Sequence, residues 1–424
     1  MSMPVKRKVL LVVENRPVPA DVRVWAEARA LYEQGFEVSV IAPSGATSGR
    51  STYICLQGIH IYTYPLPSYT NSCLAYLLEY SLSILQTWWL SLRVLHRHGF
   101  DVIHAANPPD VFFLLHWFYC LLGKRFIFDQ HDLAPEIFQV KFGKRFKLLW
   151  YILLWLEQCS YRAAACVLTT NESQREIAIT RGLCVREKVF VVRNGPQLER
   201  LQRVPAELEL KRGRPYLLVY LGAMEIQDGI DYALHALHEL VYVHGRQDIS
   251  LALLGDGGYL PKLKQLAQEL CIEKFVFFTG WVGEQDIMRY LSTADIGLCP
   301  DPRNGLNEFC TTIKSMEYMA MSLPIVAFDL IETRFTCQDS ALYATPNSIP
   351  IFARQVAYLL DEPALRQSMG QHARTLIEES LNWEHDKHNL WRAYATLFPE
   401  MKTVSTPAGD SVKQQGEYIL THQR

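Results

Sequence analysis

Short apolar runs and helical patterns alternate along most of the 424 residues. The runs are bounded by polar residues or glycine, which is typical of strands buried on both faces. Segments with apolar residues three and four positions apart, typical of helices, follow several of them. This order predicts an α/β fold with parallel sheets. The predicted strands are residues 9–13, 38–42, 165–170, 216–222, 251–255, 275–280, 294–300 and 325–328.

A polar stretch divides the chain into two predicted domains. Residues 204–215 have no strand pattern, which is typical of a linker. We therefore expect a first domain of residues 1–203 and a second of residues 215–382, since domains average about 150 residues. Residues 401–424 are polar without an apolar face, which predicts a disordered tail.

Composition and motifs exclude several classes of protein. A net charge of −2 and a pI of about 6.7 do not favour nucleic-acid binding. The ten cysteines include no C-x-x-C pair, which argues against a structural zinc site and for a reducing compartment. The apolar run before Glu14 is shorter than the roughly 7–15 residues of a secretory signal. No G-x-G-x-x-G loop follows the first strand, so a dinucleotide-binding dehydrogenase is disfavoured.

Two aromatic, apolar segments concern the membrane. Residues 74–95 are long enough to span a bilayer, but Glu79 and Gln86 interrupt them, so we expect a buried or membrane-surface helix. Residues 141–156 place four basic residues before the run LLWYILLWL, an arrangement suited to an anionic membrane surface. A core helix with a solvated basic start is the alternative for this second segment.

The stretch 307–329, NEFCTTIKSMEYMAMSLPIVAFD, contains the strongest candidate chemistry. Its pattern predicts a helix over 311–321 that leads through a turn into the strand 325–328. A helix N-terminus offers free N–H groups and a partial positive charge to a phosphate, and Lys314 in the first turn would add a full charge. Glu317, one turn deeper, could accept hydrogen bonds from two adjacent sugar hydroxyls. The alternative interpretation is an ordinary exposed pair of oppositely charged side chains three residues apart.

The run KSMEYMAMSLPIVAFD closely resembles the donor-site signature of family 4 glycosyltransferases, which are retaining enzymes. It is most similar to the WbuB-like bacterial branch, in which a lysine precedes the glutamate in K-x-x-E-Y-M-A. The resemblance implies a GT-B fold, with two Rossmann-like domains facing each other across a cleft. It also implies that Glu317 holds the ribose of the nucleotide, and that residues 383–398 form a helix crossing back onto the first domain.

The resemblance assigns further roles in the first domain. His131 corresponds to a histidine that meets the hydroxyls of the donor sugar, and Asn107 lies in a loop on the acceptor side. Asp132 and Glu136 are expected near His131, either as structural residues or facing the acceptor. The segment 189–201 resembles an interdomain segment that lines the cleft. This places Asn194 at the donor, and Arg193 either at the donor phosphates or on the surface.

In the second domain the sequence departs from the family pattern at two places. Eight residues separate Glu308 from Glu317 where the family has seven, so Glu308 is only a weak match to the glutamate that positions the donor sugar. The loop AMEIQDG places Asp228 where most members carry the lysine of an Arg/Lys diphosphate clamp. We expect Lys314 and backbone N–H groups to replace that clamp. The remaining residues expected at the donor are Thr311, Thr312, Gly222, Gly229 and Gly255.

Together these features predict a retaining glycosyltransferase that moves a sugar from a nucleotide diphosphate sugar to an acceptor hydroxyl. No cofactor is expected, and no metal, since Asp-x-Asp is absent. The basic aromatic segment indicates a lipid-linked saccharide acceptor, surface polysaccharide or glycolipid assembly, and a cytoplasmic location at the inner membrane surface. Two alternatives remain: a nucleotide-sugar epimerase with a GT-B fold, and a non-catalytic nucleotide-sugar-binding subunit.

Overall fold

The computed structural model describes residues 6–44, 52–65 and 73–400. The first sheet has eight strands, all parallel to their neighbours except β3, which is antiparallel to β4. Their bounds are β1 (Lys8–Val12), β2 (Glu37–Pro43), β3 (Tyr53–Leu56), β4 (Ile59–Tyr64), β5 (Val102–Ala106), β6 (Arg125–Gln130), β7 (Cys166–Thr169) and β8 (Val189–Val191). The order in space is β3-β4-β2-β1-β5-β6-β7-β8.

Within the described residues, six helices from the first part of the chain accompany this sheet. They are α1 (Val22–Glu33), α2 (Cys73–Arg97), α3 (Phe113–Tyr119), α4 (Ala134–Phe142), α5 (Lys147–Ala163) and α6 (Glu172–Thr180). Two separate apolar cores cover the two faces of the sheet. Asp21 and Asn171 start α1 and α6 by accepting hydrogen bonds from backbone N–H groups of the first turn.

The second sheet has six parallel strands and again a core on each face. The strands are β9 (Tyr216–Leu221), β10 (Ile249–Leu254), β11 (Val276–Gly280), β12 (Ile296–Cys299), β13 (Ile325–Phe328) and β14 (Ala341–Ala344), in the spatial order β11-β10-β9-β12-β13-β14. The helices are α7 (Ile230–Tyr242), α8 (Leu260–Glu269), α9 (Glu284–Thr293), α10 (Ile313–Ala320), α11 (Ile331–Cys337), α12 (Ile349–Asp361), α13 (Pro363–Glu379) and α14 (Trp383–Leu397).

This architecture confirms the predicted α/β fold with two parallel-sheet domains. The strand predicted at 325–328 has the predicted bounds, and the other predicted strands differ by a few residues at their ends. One difference affects the site: α10 begins at Ile313 rather than at 311, because Thr312 has an extended backbone. The strands β3, β4 and β14 have no counterpart in the prediction. In β3 the four residues form an apolar run, Tyr-Ile-Cys-Leu, yet all of them are exposed.

The last helix, α14, packs on the first domain although it follows the second in sequence. Leu390, Tyr394 and Leu397 join the core that contains β1, β2 and α1. The indole N–H of Trp391 donates to the carbonyl of Ala30, 3.0 Å away. The first domain is therefore completed by residues from the far end of the chain.

The predicted linker packs against the second domain. Residues Leu208–Lys211 form a short 3-10 helix. Upstream of it, the N–H of Val204 donates to the Ser292 hydroxyl and that of Glu207 to the Thr293 hydroxyl. No helix within the described ranges is long and apolar enough to cross a membrane, and this includes α2. The tail predicted at 401–424 lies outside the described residues.

Candidate functional site

At the start of α10, the side chain of Lys314 is buried beside a carboxylate and an aromatic ring. Its ammonium donates to Asp301 Oδ1 at 2.5 Å and lies 5.1 Å from the centre of the Tyr220 ring. Burial alone would lower the pKa of Lys314, but the carboxylates of Asp301 and Asp228 raise it above its ordinary value. Lys314 is therefore charged at neutral pH, and one of its three protons is already bound by Asp301.

The backbone around Lys314 is closely packed. Gly229 has a φ of +69°, and a Cβ there would overlap the carbonyl oxygen of Pro300. At Gly255, φ is +136°, and a Cβ would overlap the oxygen of Gly222. These glycines bring the ends of β9, β10 and β12 together beside Lys314. Asp228, in the same loop, accepts a hydrogen bond from Glu225 N–H at 3.0 Å, and burial raises its pKa to about 6.

Glu317 lies one turn after Lys314 and is half-buried. Burial raises its pKa to about 7, while the charge of Arg200 acts in the opposite direction. Lys314 and Glu317 are thus not an exposed pair on a solvated face, and the ordinary-pair interpretation does not hold. Glu308 has a partner of its own, since Arg303 Nε donates to Glu308 Oε2 at 2.8 Å and Arg303 also donates to the carbonyl of Asp329.

The two domains meet immediately before α10. Asn171 Nδ2, at the start of α6, donates to the carbonyl of Phe309 at 2.9 Å and to the Thr311 hydroxyl at 3.2 Å. Glu332 accepts from the Thr311 hydroxyl at 3.2 Å and from the N–H of Ser173 at 3.1 Å. The structure therefore gives Thr311 a role in the domain contact that the sequence analysis did not foresee. The Thr312 hydroxyl instead donates to the Ser315 hydroxyl at 3.3 Å.

His131 follows β6 and is held by buried charges of the first domain. Its Nε2 lies 2.5 Å from Asp129 Oδ2 and 2.9 Å from Arg23 Nε. Arg23 also donates to Asp129 Oδ1 at 2.7 Å and to Asn194 Oδ1 at 2.8 Å. Glu27 lies 3.2 Å from the same guanidinium. Arg23 thus lies at the centre of this acidic cluster. Through its hydrogen bonds it connects His131 to Asn194, which follows β8.

Asn107 shapes the loop that carries His131 and Asp132. Its Oδ1 accepts from the N–H groups of His131 at 2.6 Å and Asp132 at 3.1 Å, and its Nδ2 donates to the carbonyl of Asp132 at 2.8 Å. Asn107 is buried, and these three hydrogen bonds fix the backbone of the loop. Burial also raises the pKa of Asp132. Glu136 forms an ion pair with Arg181, which supports the structural of its two predicted roles.

Arg193 lies between the domains. Its N–H donates to Asp386 Oδ1 at 3.0 Å, and its guanidinium lies 5.7 Å from the centre of the Phe335 ring in the second domain. The same positive charge opposes the effect of burial on the pKa of Glu332 at the domain contact. Arg193 is half-buried there, so the surface interpretation is not supported.

Sequence reasoning missed the partners that fix the predicted residues, namely Asp301, Arg303 and Arg23. Asp301 comes directly after a strand, the position from which the other site residues were identified, so this signal could have found it. Arg23 lies inside the first helix pattern, where an arginine usually faces solvent. Its role depends on contacts with Asp129 of β6 and Asn194 after β8, which only the folded structure shows.

We predict that Arg23→Met destabilises the protein by about 3–5 kcal/mol, because Asp129 and Glu27 would remain buried without their cation. Thermal unfolding monitored by circular dichroism measures this effect. Arg29→Met on the same helix is the matched control. Arg29 is exposed and lies 3.7 Å from Glu33, so its loss should change stability by less than about 1 kcal/mol. Equal effects of the two substitutions would contradict the role given to Arg23.

Comparisons with known proteins agree with this two-domain arrangement. The family model described as Glycosyltransferase Family 4 matches residues 20–200, and the model described as Glycosyl transferases group 1 matches residues 215–362. An alpha-D-kanosaminyltransferase from Streptomyces kanamyceticus is 27% identical over 234 residues, which cover 53% of this chain and 58% of that protein. The chain thus spans little more than half the length of the curated relatives that it matches.

Solved structures resemble the whole fold. Sucrose-phosphate synthase from Thermosynechococcus elongatus superposes with a TM-score of 0.76 at 16% identity, covering 93% of this chain and 100% of that one. Anabaena Alr3699/HepE in complex with UDP-glucose superposes with a TM-score of 0.68 at 16% identity, covering 92% of this chain and 99% of that one.

The two parallel-sheet domains and these structural neighbours define a GT-B fold. With the family models matched in both domains, the chain belongs to a family 4-like group of glycosyltransferases.

Proposed function

We propose that this protein transfers a sugar from a nucleotide diphosphate sugar to an acceptor hydroxyl with retention of anomeric configuration. The observation that supports this most is the position of Lys314 and Glu317 on α10. Both lie just after the domain contact and are withdrawn from bulk solvent. Asp132 of the first domain also lies near this region. The pKa of Cys310 is raised first by burial and then by the negative charges of Asp132, Glu332 and Asp301. Charged groups of both domains thus lie close to Cys310, three residues before α10 begins.

The proposed chemistry places charge stabilisation at the leaving group. The bond between C1 of the sugar and the diphosphate oxygen breaks, and the diphosphate leaves with the electron pair. N–H groups at the start of α10 and the two free protons of Lys314 would stabilise the charge that develops there. The acceptor oxygen then forms its bond to C1, and its proton passes to the departing diphosphate. Glu317 would hold the ribose, and His131 the hydroxyls of the sugar.

Asp301 limits the net positive charge of this site. Because it already binds Lys314, the site presents a positioned donor with a reduced net charge rather than an unpaired cation. This suits a diphosphate that must bind, react and be released. Glu308 is paired with Arg303, so we assign these two residues jointly to donor positioning.

We propose uridine diphosphate hexoses or N-acetylhexosamines as the first donors to test, since the similar Alr3699/HepE structure contains UDP-glucose. A thermal-shift screen of nucleotide sugars identifies the donor by the stabilisation that it causes. Transfer to a lipid-linked saccharide, with proton NMR of the new anomeric centre, tests the reaction and its stereochemistry. Isomerisation of the donor without acceptor would indicate the epimerase instead, and binding without turnover the non-catalytic subunit.

We further propose that the acceptor is reached at a membrane surface. The helices α2, α3 and α5 and the short 3-10 helix Cys120–Leu122 expose large apolar side chains, and we call this surface the aromatic face. Its members are Trp88, Trp89, Trp117, Phe118, Leu121, Leu122, Leu148, Tyr151, Ile152 and Trp155. Trp88 and Phe118 are in contact, with ring centres 6.0 Å apart, so α2 and α3 form one surface. A patch of this kind marks an interaction site.

The basic residues near the aromatic face, and the position of this face in the first domain, both favour an anionic bilayer as its binding partner. Lys144, Arg145 and Lys147 are exposed at the start of α5. The helix before them, α4, begins three residues after His131, so the face adjoins the loops proposed for the acceptor side. A lipid-linked saccharide could then be presented with its lipid in the membrane, as in surface polysaccharide or glycolipid assembly. The cytoplasmic leaflet supplies such anionic lipids.

We predict that Trp89→Ser/Trp117→Ser/Trp155→Ser weakens binding to anionic phospholipid vesicles by at least about tenfold, because interfacial affinity follows the apolar area that is buried. Lys144→Gln/Arg145→Gln/Lys147→Gln should weaken it by about 100-fold, at roughly 1 kcal/mol per charge, and remove the preference for anionic over neutral vesicles. Vesicle co-sedimentation measures both effects.

The matched control for this experiment is Tyr358→Ser/Val243→Ser in the second domain. These side chains are 50% and 67% exposed but lie outside the aromatic face, so vesicle binding should not change. Wild-type affinity in both altered proteins would exclude the bilayer as the partner of this face.

A further inference from the structure

A cluster of metal-ligating side chains lies at the opposite edge of the first sheet from the proposed active site. Glu37 is the first residue of β2, His60 is the second of β4, and His98 follows the last residue of α2. Glu37 and His60 therefore lie at the amino ends of parallel strands, and His98 lies shortly before the amino end of β5. The proposed active site lies at the carboxyl ends of the strands. The cluster is independent of the proposed function.

The donor atoms of this cluster converge. One ligand atom from each of the three residues lies within 4.8 Å of the others. The rings of His60 and His98 are stacked with centres 3.9 Å apart, and His98 Nδ1 lies 3.5 Å from Glu37 Oε1. The side chains of His98 and Glu37 are 17% and 26% exposed, so the cluster is partly withdrawn from water but open to a dissolved ion.

Each imidazole is oriented by a tyrosine at its other nitrogen. The hydroxyl of Tyr53 lies 2.9 Å from His60 Nδ1, and that of Tyr62 lies 2.9 Å from His98 Nε2. This leaves His60 Nε2 and His98 Nδ1 for a metal. Such hydrogen bonds to the second nitrogen are characteristic of metal-binding histidines. Glu37 Oε2 pairs with Lys8 at 3.3 Å, which leaves Oε1 on the side of the imidazoles.

Cys55 lies on the same face of the sheet, although its sulfur is not within 4.8 Å of all three of the other donor atoms. It is directly opposite His60 in the antiparallel pair of β3 and β4, and residues in this relation project from the same side of a sheet. Its thiol is free and exposed. Two imidazoles, one carboxylate and one thiolate match the ligand preferences of Zn²⁺, whereas Mg²⁺ and Ca²⁺ prefer oxygen ligands alone.

We propose that Glu37, His60 and His98 bind a zinc ion, and that the Cys55 side chain turns towards the ion so that its thiolate becomes the fourth ligand. The thiol proton is released to solvent on binding. The ion would connect β2, β3, β4 and the end of α2, four segments that meet at this corner of the sheet. The role that follows is stabilisation of the edge of the first domain.

A calorimetric titration of zinc chloride into the chelator-treated protein tests the proposal. We expect one tightly bound equivalent and a rise in melting temperature. His60→Gln and His98→Gln should each weaken binding at least tenfold. Tyr53→Phe keeps the aromatic ring and should weaken binding 10- to 100-fold, as expected for the loss of a hydrogen bond to a ligating histidine.

The control variants separate this site from adventitious binding. His385→Gln removes an exposed histidine on α14, and Cys120→Ser/Cys271→Ser removes two exposed thiols, so neither should change the affinity. Cobalt substituted for zinc should show a thiolate charge-transfer band that Cys55→Ser abolishes, and persistence of this band overturns the assignment of Cys55. Absence of binding, or equal affinity in the folded His60→Gln and His98→Gln proteins, overturns the zinc site.

Discussion

Lys314→Met combined with Asp301→Asn is expected to lower kcat for sugar transfer by about 10²–10³-fold, the usual effect of removing one donor that stabilises a developing anion. The double substitution removes both charges of a buried pair, so neither is left unpaired. Initial rates at saturating donor, with melting temperatures of both proteins, measure the effect.

The single substitutions are the internal controls for this experiment. Lys314→Met alone leaves Asp301 buried without its cation, which should cost about 3–5 kcal/mol of stability as well as activity. A folded double variant with wild-type turnover would show that Lys314 has no part in stabilising the leaving group. The pair would then be structural, and the proposed chemistry would lose its only charged donor at α10.

Glu317→Ala is expected to lower kcat/KM for the donor by about 100-fold. Two hydrogen bonds to a carboxylate, at about 1.5 kcal/mol each, account for this value. Because burial disfavours the charged form of Glu317, its removal should not destabilise the protein. Donor affinity and melting temperature measured together separate lost binding from lost folding. Glu384→Ala, at an exposed position of α14, is a suitable control, and an equal loss there would contradict the assignment.

The pH dependence of donor binding provides a second test of Glu317. Its pKa is raised from 4.5 to about 7, so the carboxylate forms as pH rises through 7 and is protonated below it. If the carboxylate binds the ribose, KM for the donor should increase as pH falls from 8 to 6. The same elevated pKa means that the folded state holds this proton more strongly than the unfolded state does. The contribution of Glu317 to the free energy of unfolding is therefore greatest below about pH 4.5 and decreases as the pH rises from 4.5 to about 7. Glu317→Gln should remove the change in KM, since its amide does not titrate there.

Most of the fold could be predicted from the sequence because buried parallel strands are short continuous apolar runs. The run 325–328 is bounded by Pro324 and Asp329, and its strand has the predicted limits. The prediction missed β3, whose apolar run Tyr53–Leu56 forms an exposed edge strand and not a buried one. It also placed the start of α10 two residues early, since two consecutive threonines do not show which one ends the extended segment.

The candidate site could be predicted only in part, because its side chains depend on partners far away in the sequence. The pattern around 314–317 indicated the helix and its chemistry. It could not show that Asp301 neutralises Lys314, since that contact requires β12 beside α10. Arg23 and Asp129 are 106 positions apart and meet only in the folded sheet. The residues of the proposed zinc site were not predicted for the same reason, since Glu37, His60 and His98 are far apart in the sequence.

The return of α14 to the first domain limits how the protein can be divided for experiments. A recombinant fragment ending at residue 203 would expose the apolar surface that Leu390, Tyr394 and Leu397 cover, and it should aggregate. Supplying residues 383–398 through a short flexible tether, or as a separate peptide, should restore solubility. For the same reason, a circularly permuted chain that begins near residue 383 and joins the end of α14 to residue 6 would make the first domain continuous in sequence.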